Sequence, residues 1–200
     1  MPALTFTHDW FTKNIPIWEE HFLRHAGEKN LNFLEVGSWE GRSACWMLEN
    51  ILTDKSSKLT CVDTFGGCAF HDLEVTEVEK TFDSNIKAIG AEARVIKEKG
   101  LSQHVLRRLP LNSYDLVYID ASHLAPNVLM DIMLSWELLK DDRIMVLDDY
   151  QWKSPEHNGA PLREPKIAID AFLTVFADKL EIIFKGRQVI VRKLSGCSNT

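Results

Sequence analysis

Residues 32–36 form a short apolar run stopped by Gly37, and helical periodicity resumes at Gly41 and continues to Leu52. A strand that turns through glycines straight into a helix constrains this chain more than any other feature. The next strand has to return across a crossover, which is the geometry of a mainly parallel α/β sheet. The same alternation recurs downstream. Residues 59–62 read as a second strand ended by Asp63. Residues 77–89 read as a helix with Val78, Phe82, Ile86 and Ile89 on one face, stopped at Gly90. Residues 94–96 give a weak third strand, 103–109 a short helix, and 114–119 a fourth strand apolar enough to be buried on both faces. Pro126 opens a helix continued by Val128, Ile132, Leu134, Leu138 and Leu139, and residues 144–147 are the fifth strand. After a helix over 167–176, residues 180–184 and 189–191 flank Lys185-Gly186-Arg187-Gln188, a hairpin signal that adds an antiparallel strand. Upstream, Ile17, Trp18, Phe22 and Leu23 predict an N-terminal helix over 14–28 that covers the sheet.

With 200 residues, 45% of them hydrophobic, the chain suits one domain with a substantial core. The expected organisation is a single domain over 1–200: a helical cap over 1–29, the core over 30–194 and a tail over 195–200. A net charge of −6 argues against a nucleic-acid surface, and Lys97, Lys99, Arg107 and Arg108 read as an exposed face. There is no basic-then-apolar leader, no apolar run long enough to span a membrane and no CxxC pair. Cys45 and Cys61 are expected as core thiols. Together these predict a soluble, cytoplasmic protein without membrane partners. A homo-oligomer stays open.

The chemistry-bearing residues fall at strand ends, where open α/β sheets bind ligands. Gly37 permits the sharp bend after the first strand, Gly41 permits close approach to the helix start, and Glu35 ends the strand with a carboxylate. Asp63 follows at the spacing where an acid meets ribose hydroxyls, and Phe65 could lie against an adenine face. Asp120, Asp148 and Asp149 end the fourth and fifth strands, so their oxygens can converge on a hard divalent ion such as Mg²⁺. His123 stands beside them as a base able to take a hydroxyl proton near neutral pH. Asp141-Asp142 reads as a plain surface turn. Residues 66–76 and 151–165 are polar, turn-rich and expected to form a substrate lid. His71 and His157 within them read as surface residues, and Trp39, Phe70 and Trp152 could stack on a substrate ring.

In order along the chain, Glu35-x-Gly37-x-x-x-Gly41-x-Ser43-Ala44, Asp63-Thr64-Phe65-Gly66-Gly67, Gly100-Leu101-Ser102-Gln103, the run from Asp115 to His123, and Asp148-Asp149-Tyr150 resemble the motifs of class I S-adenosylmethionine-dependent methyltransferases. The resemblance is to metal-dependent O-methyltransferases of the catechol and macrocin/mycinamicin sugar types, and it runs from about Asn32 to Arg192. It implies a Rossmann-like, doubly wound, mostly parallel seven-stranded α/β sheet with a C-terminal antiparallel hairpin strand. It implies cofactor-binding roles for Glu35, Gly37, Ser38, Gly41, Ser43, Asp63, Thr64, Phe65, Ser102, Gln103 and Asp120, with S-adenosylmethionine as the cofactor. It implies Mg²⁺ on Asp120, Asp148 and Asp149, and catalytic roles for His123 and Asp120. Catechol enzymes carry Asn where this chain has Asp149, and lysine where it has His123; the sugar-modifying branch has Asp at the first position, and some of its enzymes have histidine at the second. The implied reaction is methylation of a hydroxyl on a small molecule, a sugar or a vicinal diol or catechol.

Two enzyme alternatives stay beside it. One is a metal-independent methyltransferase of another small-molecule acceptor. An NAD(P)-dependent oxidoreductase would share the fold and Asp63. It wants a tighter glycine fingerprint and a Tyr-x-x-x-Lys pair, for which Tyr150 and Lys153 stand one residue too close. A cofactor-binding protein without activity would show a broken acid cluster or no base, and this chain shows neither.

Overall fold

The computed structural model describes residues 3–66, 77–153 and 164–196. Most of both expected lid segments, with Phe70, His71 and His157, lies outside the described residues, as do Gly67, Cys68 and Cys197. Seven strands hydrogen-bond in the order β3-β2-β1-β4-β5-β7-β6. They are β1 (Asn32–Val36), β2 (Lys58–Asp63), β3 (Val95–Lys99), β4 (Tyr114–Ile119), β5 (Leu139–Leu147), β6 (Leu180–Lys185) and β7 (Val189–Lys193). The helices are α1 (Ile15–Phe22), α2 (Arg42–Asn50), α3 (Val78–Ala88), α4 (Ser102–Val105), α5 (Ala125–Leu138) and α6 (Pro165–Val175). The expected seven-stranded, Rossmann-like sheet is present. The chain forms two compact units: residues up to Asn32 with Ser38–Leu101, and Phe33–Gly37 with Ser102 onward.

In the first unit β2 and β3 pair in parallel from Leu59↔Val95 to Asp63↔Lys99. Strand β3 starts and ends later than its apolar residues predict, because pairing with β2 carries it through Lys97, Glu98 and Lys99. Such charges protect an edge strand, and Lys97 and Lys99 pair with Glu79 of α3. The N-terminal helix is shorter than predicted, with α1 ending at Phe22 and a 3-10 turn following over Leu23–His25. Its buried Trp18 meets Phe11 and Trp46 at ring distances of 5.5 and 6.1 Å. That aromatic packing fixes the helix through its first two turns only. Cys45 and Cys61 are buried, as expected.

In the second unit all six residues of β4 are buried. It pairs in parallel with β1 from Phe33↔Leu116 to Val36↔Ile119, and with β5 down to Ile119↔Leu147. The register brings Asp120 and Asp148 out at the same level. Strand β5 begins earlier than expected: Leu139, predicted to end the helix, already pairs with Tyr114. Between that pair and Leu116↔Ile144 one residue of β4 stands opposite four of β5, and the surplus bulges through the exposed Asp141 and Asp142, the latter at φ +58. The expected surface turn at those acids is this bulge. The hairpin β6–β7 joins antiparallel through Met145↔Val191 and its neighbours. Among the described residues no helix is long and apolar enough to cross a membrane.

Several polar residues are buried among the described residues, and Asp131 is one whose burial has a titration consequence. Asp131 of α5 is fully buried, and among the described residues no donor closes on either of its oxygens. Burial pushes its carboxyl up to about 6, with the nearby Ser102 hydroxyl offsetting only part of the effect. The raised value means the folded state holds the proton more tightly than the unfolded one. The buried charge therefore destabilises above pH 6, and the penalty fades as pH falls from about 6 to about 4. Asp131→Asn is expected to raise stability at pH 8 by up to about 3 kcal/mol. Denaturation across pH should show that gain shrinking to nothing near pH 4.

Candidate functional site

Each unit carries one group of polar side chains at its strand ends. In the first, β2 ends on Asp63, whose carboxylate grips the glycine turn. Its Oδ2 accepts the backbone N–H groups of Ser38 and Trp39, each at 2.8 Å, and its Oδ1 accepts that of Phe65 at 2.7 Å. Three of roughly four acceptor sites on the carboxylate are thus used by the backbone. A ribose hydroxyl, the expected partner, has only the remainder. The grip is needed because Trp39 sits at φ +47, a conformation costing on the order of 1–3 kcal/mol for a residue with a Cβ. Gly41, at φ +81, leads into α2; a Cβ there would stand 3.0 Å from the Phe82 ring. Ser43 is buried in the first turn of that helix.

Ser38 is buried, and its hydroxyl has no hydrogen-bond partner among the described residues; the same is true of the Trp39 indole N–H. Buried polar groups without partners are costly, so both fit a turn whose hydrogen bonds a ligand completes. Thr64 is half-buried, its hydroxyl accepting the Gly66 N–H at 3.3 Å. Phe65, expected against an adenine face, is only 3% exposed. Its φ of +49 turns the ring inward, 5.0 Å from Phe82, with the Lys97 Nζ 5.5 Å from its centre. The ring belongs to the packing of α3, a destination the local sequence did not reveal.

In the second unit Gly37, at φ +93, brings the end of β1 against the end of β4. A Cβ on Gly37 would lie 2.1 Å from the Asp120 carbonyl oxygen. Glu35 is buried opposite Tyr118 in the register. The Tyr118 hydroxyl stands between two carboxylates, bonded to Asp148 Oδ2 and 2.9 Å from Asp120 Oδ2. A hydroxyl has one proton to donate, so holding both contacts requires a proton on one of the acids. Burial first, then the charges of Asp148 and Asp149, hold the Asp120 carboxyl well above the usual carboxylate range. Asp148 is raised by burial and by Asp149, against hydrogen bonds from Tyr118, the Asp149 N–H at 2.7 Å and Gln188 Nε2 at 2.7 Å.

Asp149 turns away from that pair. At φ +57 its Oδ2 meets His123 Nε2 at 2.8 Å, and the imidazole stacks on Trp152 with centroids 4.1 Å apart. Trp152 is therefore a wall for His123. In donor chemistry and charge these carboxylates suit a hard divalent cation, since a cation would relieve the crowding that raises Asp120 and Asp148. In arrangement, Asp120 and Asp148 meet through Tyr118 while Asp149 serves His123. Among the described residues no three acids or histidines gather as a metal-binding group. Ser102 and Gln103 open α4, where Ser102 lies beside Asp131.

Tyr118 and Gln188 are the residues whose roles sequence reasoning missed. Tyr118 had a readable signal, since it lies two positions before Asp120 and so on the same side of the chain. Gln188 had none: it looked like a hairpin residue, and only the fold brings it to Asp148.

Residues 34–150 match the sequence model of a methyltransferase domain. No curated protein matches the chain in sequence. Among solved structures it is similar to a putative O-methyltransferase from Klebsiella pneumoniae, at TM-score 0.69 and 16% identity over 95% of this chain and 84% of that one. An O-methyltransferase from Bacillus cereus in complex with SAH gives 0.65 and 16%, over 96% and 84%. A putative rRNA-methylase from Clostridium thermocellum gives 0.66 and 12%, over 96% and 99%. Likenesses at such identities concern the fold.

The Gly37 approach yields a direct expectation. Gly37→Ala should cost about 3 kcal/mol or more in chemical denaturation, through overpacking against backbone. Gly66→Ala, whose Cβ would meet nothing nearer than 3.6 Å among the described residues, should stay within about 0.5 kcal/mol.

Proposed function

The chain belongs to the methyltransferase-domain family, and on that premise we propose that it moves the methyl group of S-adenosylmethionine to a hydroxyl oxygen of a small molecule. A sugar or vicinal diol is the proposed acceptor class. The observation that carries this reading is the His123–Asp149 pair at the end of the fifth strand. Methylating a hydroxyl breaks the sulfonium S–CH₃ bond, forms an O–CH₃ bond and leaves one proton to be taken up. With Nε2 donating to Asp149, the imidazole keeps Nδ1 as the acceptor for that proton. Asp149 fixes the ring's tautomer and stabilises the imidazolium that forms. Trp152, stacked on the ring, limits its rotation.

The cofactor is assigned to the glycine turn. Support comes from the unpaired Ser38 hydroxyl, from the remaining acceptor capacity of Asp63, and from the SAH carried by the Bacillus cereus relative. The sulfonium methyl is already activated, so the chain's task is alignment and exclusion of water. Such positioning can be worth about 7–11 kcal/mol. Tyr118 and Gln188 hold Asp148 in a fixed orientation during the exchange. Magnesium is proposed on Asp120, Asp148 and the Asp149 oxygen not bonded to His123, carboxylates that would have to draw together to hold it; when bound it would polarise the acceptor hydroxyl as a Lewis acid. The net charge of −6 supports a small-molecule acceptor over a nucleic acid.

Calorimetry with S-adenosylmethionine, followed by methyl transfer to a panel of sugars, diols and catechols with and without Mg²⁺, tests the reading. Asp63→Ala should abolish cofactor binding. His123→Asn should leave it intact and slow methyl transfer by about 10²–10⁴-fold. Wild-type protein that fails to bind the cofactor would refute the assignment; turnover indifferent to chelators would remove the metal alone.

A further inference from the structure

The N-terminal residues 5–12 lie along the glycine turn, bonded to it through Thr7 and to the flanking helices at Thr5 and Thr12. Glu40, buried within the turn, accepts the Thr7 backbone N–H on Oε2 at 2.6 Å and the Thr7 hydroxyl on Oε1 at 3.0 Å. Asn85 of α3, also buried, links the same two elements. Its Oδ1 accepts the Thr5 N–H at 2.9 Å, and its Nδ2 donates to the Thr5 carbonyl at 2.8 Å and to the Glu40 carbonyl at 2.9 Å. Past Gly41, Arg42 donates to the Thr12 hydroxyl at 2.7 Å, and its guanidinium lies over the Phe6 ring at 5.5 Å. Trp10 meets Trp39 with rings 5.5 Å apart.

The turn is therefore gripped from two sides. Asp63 takes the N–H groups of Ser38 and Trp39, while the N-terminal segment takes the side chain of the next residue, Glu40, and Asn85 takes its carbonyl. Between the two grips lies Trp39 in its left-handed conformation, which persists only where its surroundings over-determine it. A buried carboxylate with both oxygens committed to one exposed threonine is an expensive way merely to park an exposed segment. It is an effective way to hold a strained turn in one shape.

We propose that residues 5–12 act as a strap that sets cofactor affinity, with Glu40 and Asn85 as positioning residues that act through the turn. The inference rests on the cofactor reading above. Attached, the strap holds Ser38, Trp39 and Gly41 in the conformation that receives the cofactor. Detached, the turn relaxes and cofactor binding has to restore it. Coupling of this kind is reciprocal: whatever factor the strap contributes to cofactor affinity, the cofactor returns in holding down the strap.

The test uses the full chain and S-adenosylhomocysteine. In wild-type protein, saturating ligand should slow amide exchange at Thr5 and Thr7 by at least about fivefold, the lower end of typical coupling. Thr7→Pro removes the N–H and hydroxyl that reach Glu40 from an exposed position. It should weaken ligand binding about tenfold, or about 1.4 kcal/mol. Thr7→Ser keeps both donors and should bind as wild type does. Ligand that binds wild type yet leaves exchange at Thr5 and Thr7 unmoved overturns the strap and spares the cofactor reading, even if the proline variant does not fold. So does a folded Thr7→Pro protein with unchanged affinity. Wild type that binds no ligand refutes the cofactor reading itself and leaves the segment a structural tie.

Discussion

The close approach of Gly37 to the carbonyl of Asp120 governs the second unit's strand ends. With no side chain at 37, the end of β1 passes within van der Waals reach of the backbone just past β4, and Asp120 returns its N–H to Val36 at 2.8 Å. One strand further on, Asp148 repeats the gesture toward Ile119 at 3.0 Å. Each chain leaves the sheet held by its neighbour's last carbonyl, so the acids that follow emerge at fixed heights. The placement of Tyr118, Asp148 and Gln188 follows from that alignment.

How much negative charge the second unit confines is as telling as where it lies. On top of burial, the charges of Asp148, Asp149 and Glu35 raise the affinity of Asp120 for protons, and that of Asp149 raises the affinity of Asp148. The chain answers with neutral donors, a phenol and an amide, and with one imidazole. Neutral donors orient a carboxylate without cancelling it. The cluster is left under electrostatic tension that a proton or a bound cation relieves, and a site in that condition responds strongly to what enters it.

The sequence was most legible where burial is uniform. Strands β1 and β4 have the predicted bounds because most positions between two neighbours are apolar, with Glu35 and Asp115 the buried acids among them. Strand β3 slid toward its charged residues because an edge is fixed by pairing, which composition does not display. Leu139 misled because a leucine at a helix end and one at a strand start look alike in periodicity. At the site, the residue types and their order were readable, but their partners were not. Nothing local tells that Phe65 turns inward, that Asp149 serves His123, or that Glu40 reaches back to Thr7. Those pairings join residues far apart in the chain and are decided by the path between them.

The left-handed backbone at Asp149 has a consequence for how such a site can vary. At φ +57 the side chains that fit with little strain are few, asparagine, aspartate and glycine foremost. Aspartate and asparagine share a shape and differ by one unit of charge. The position thus works as a two-setting dial: the electrical character of the strand end can change by one charge while the loop keeps its course. A chain built this way can be retuned toward a different acceptor or a different ion without being refolded.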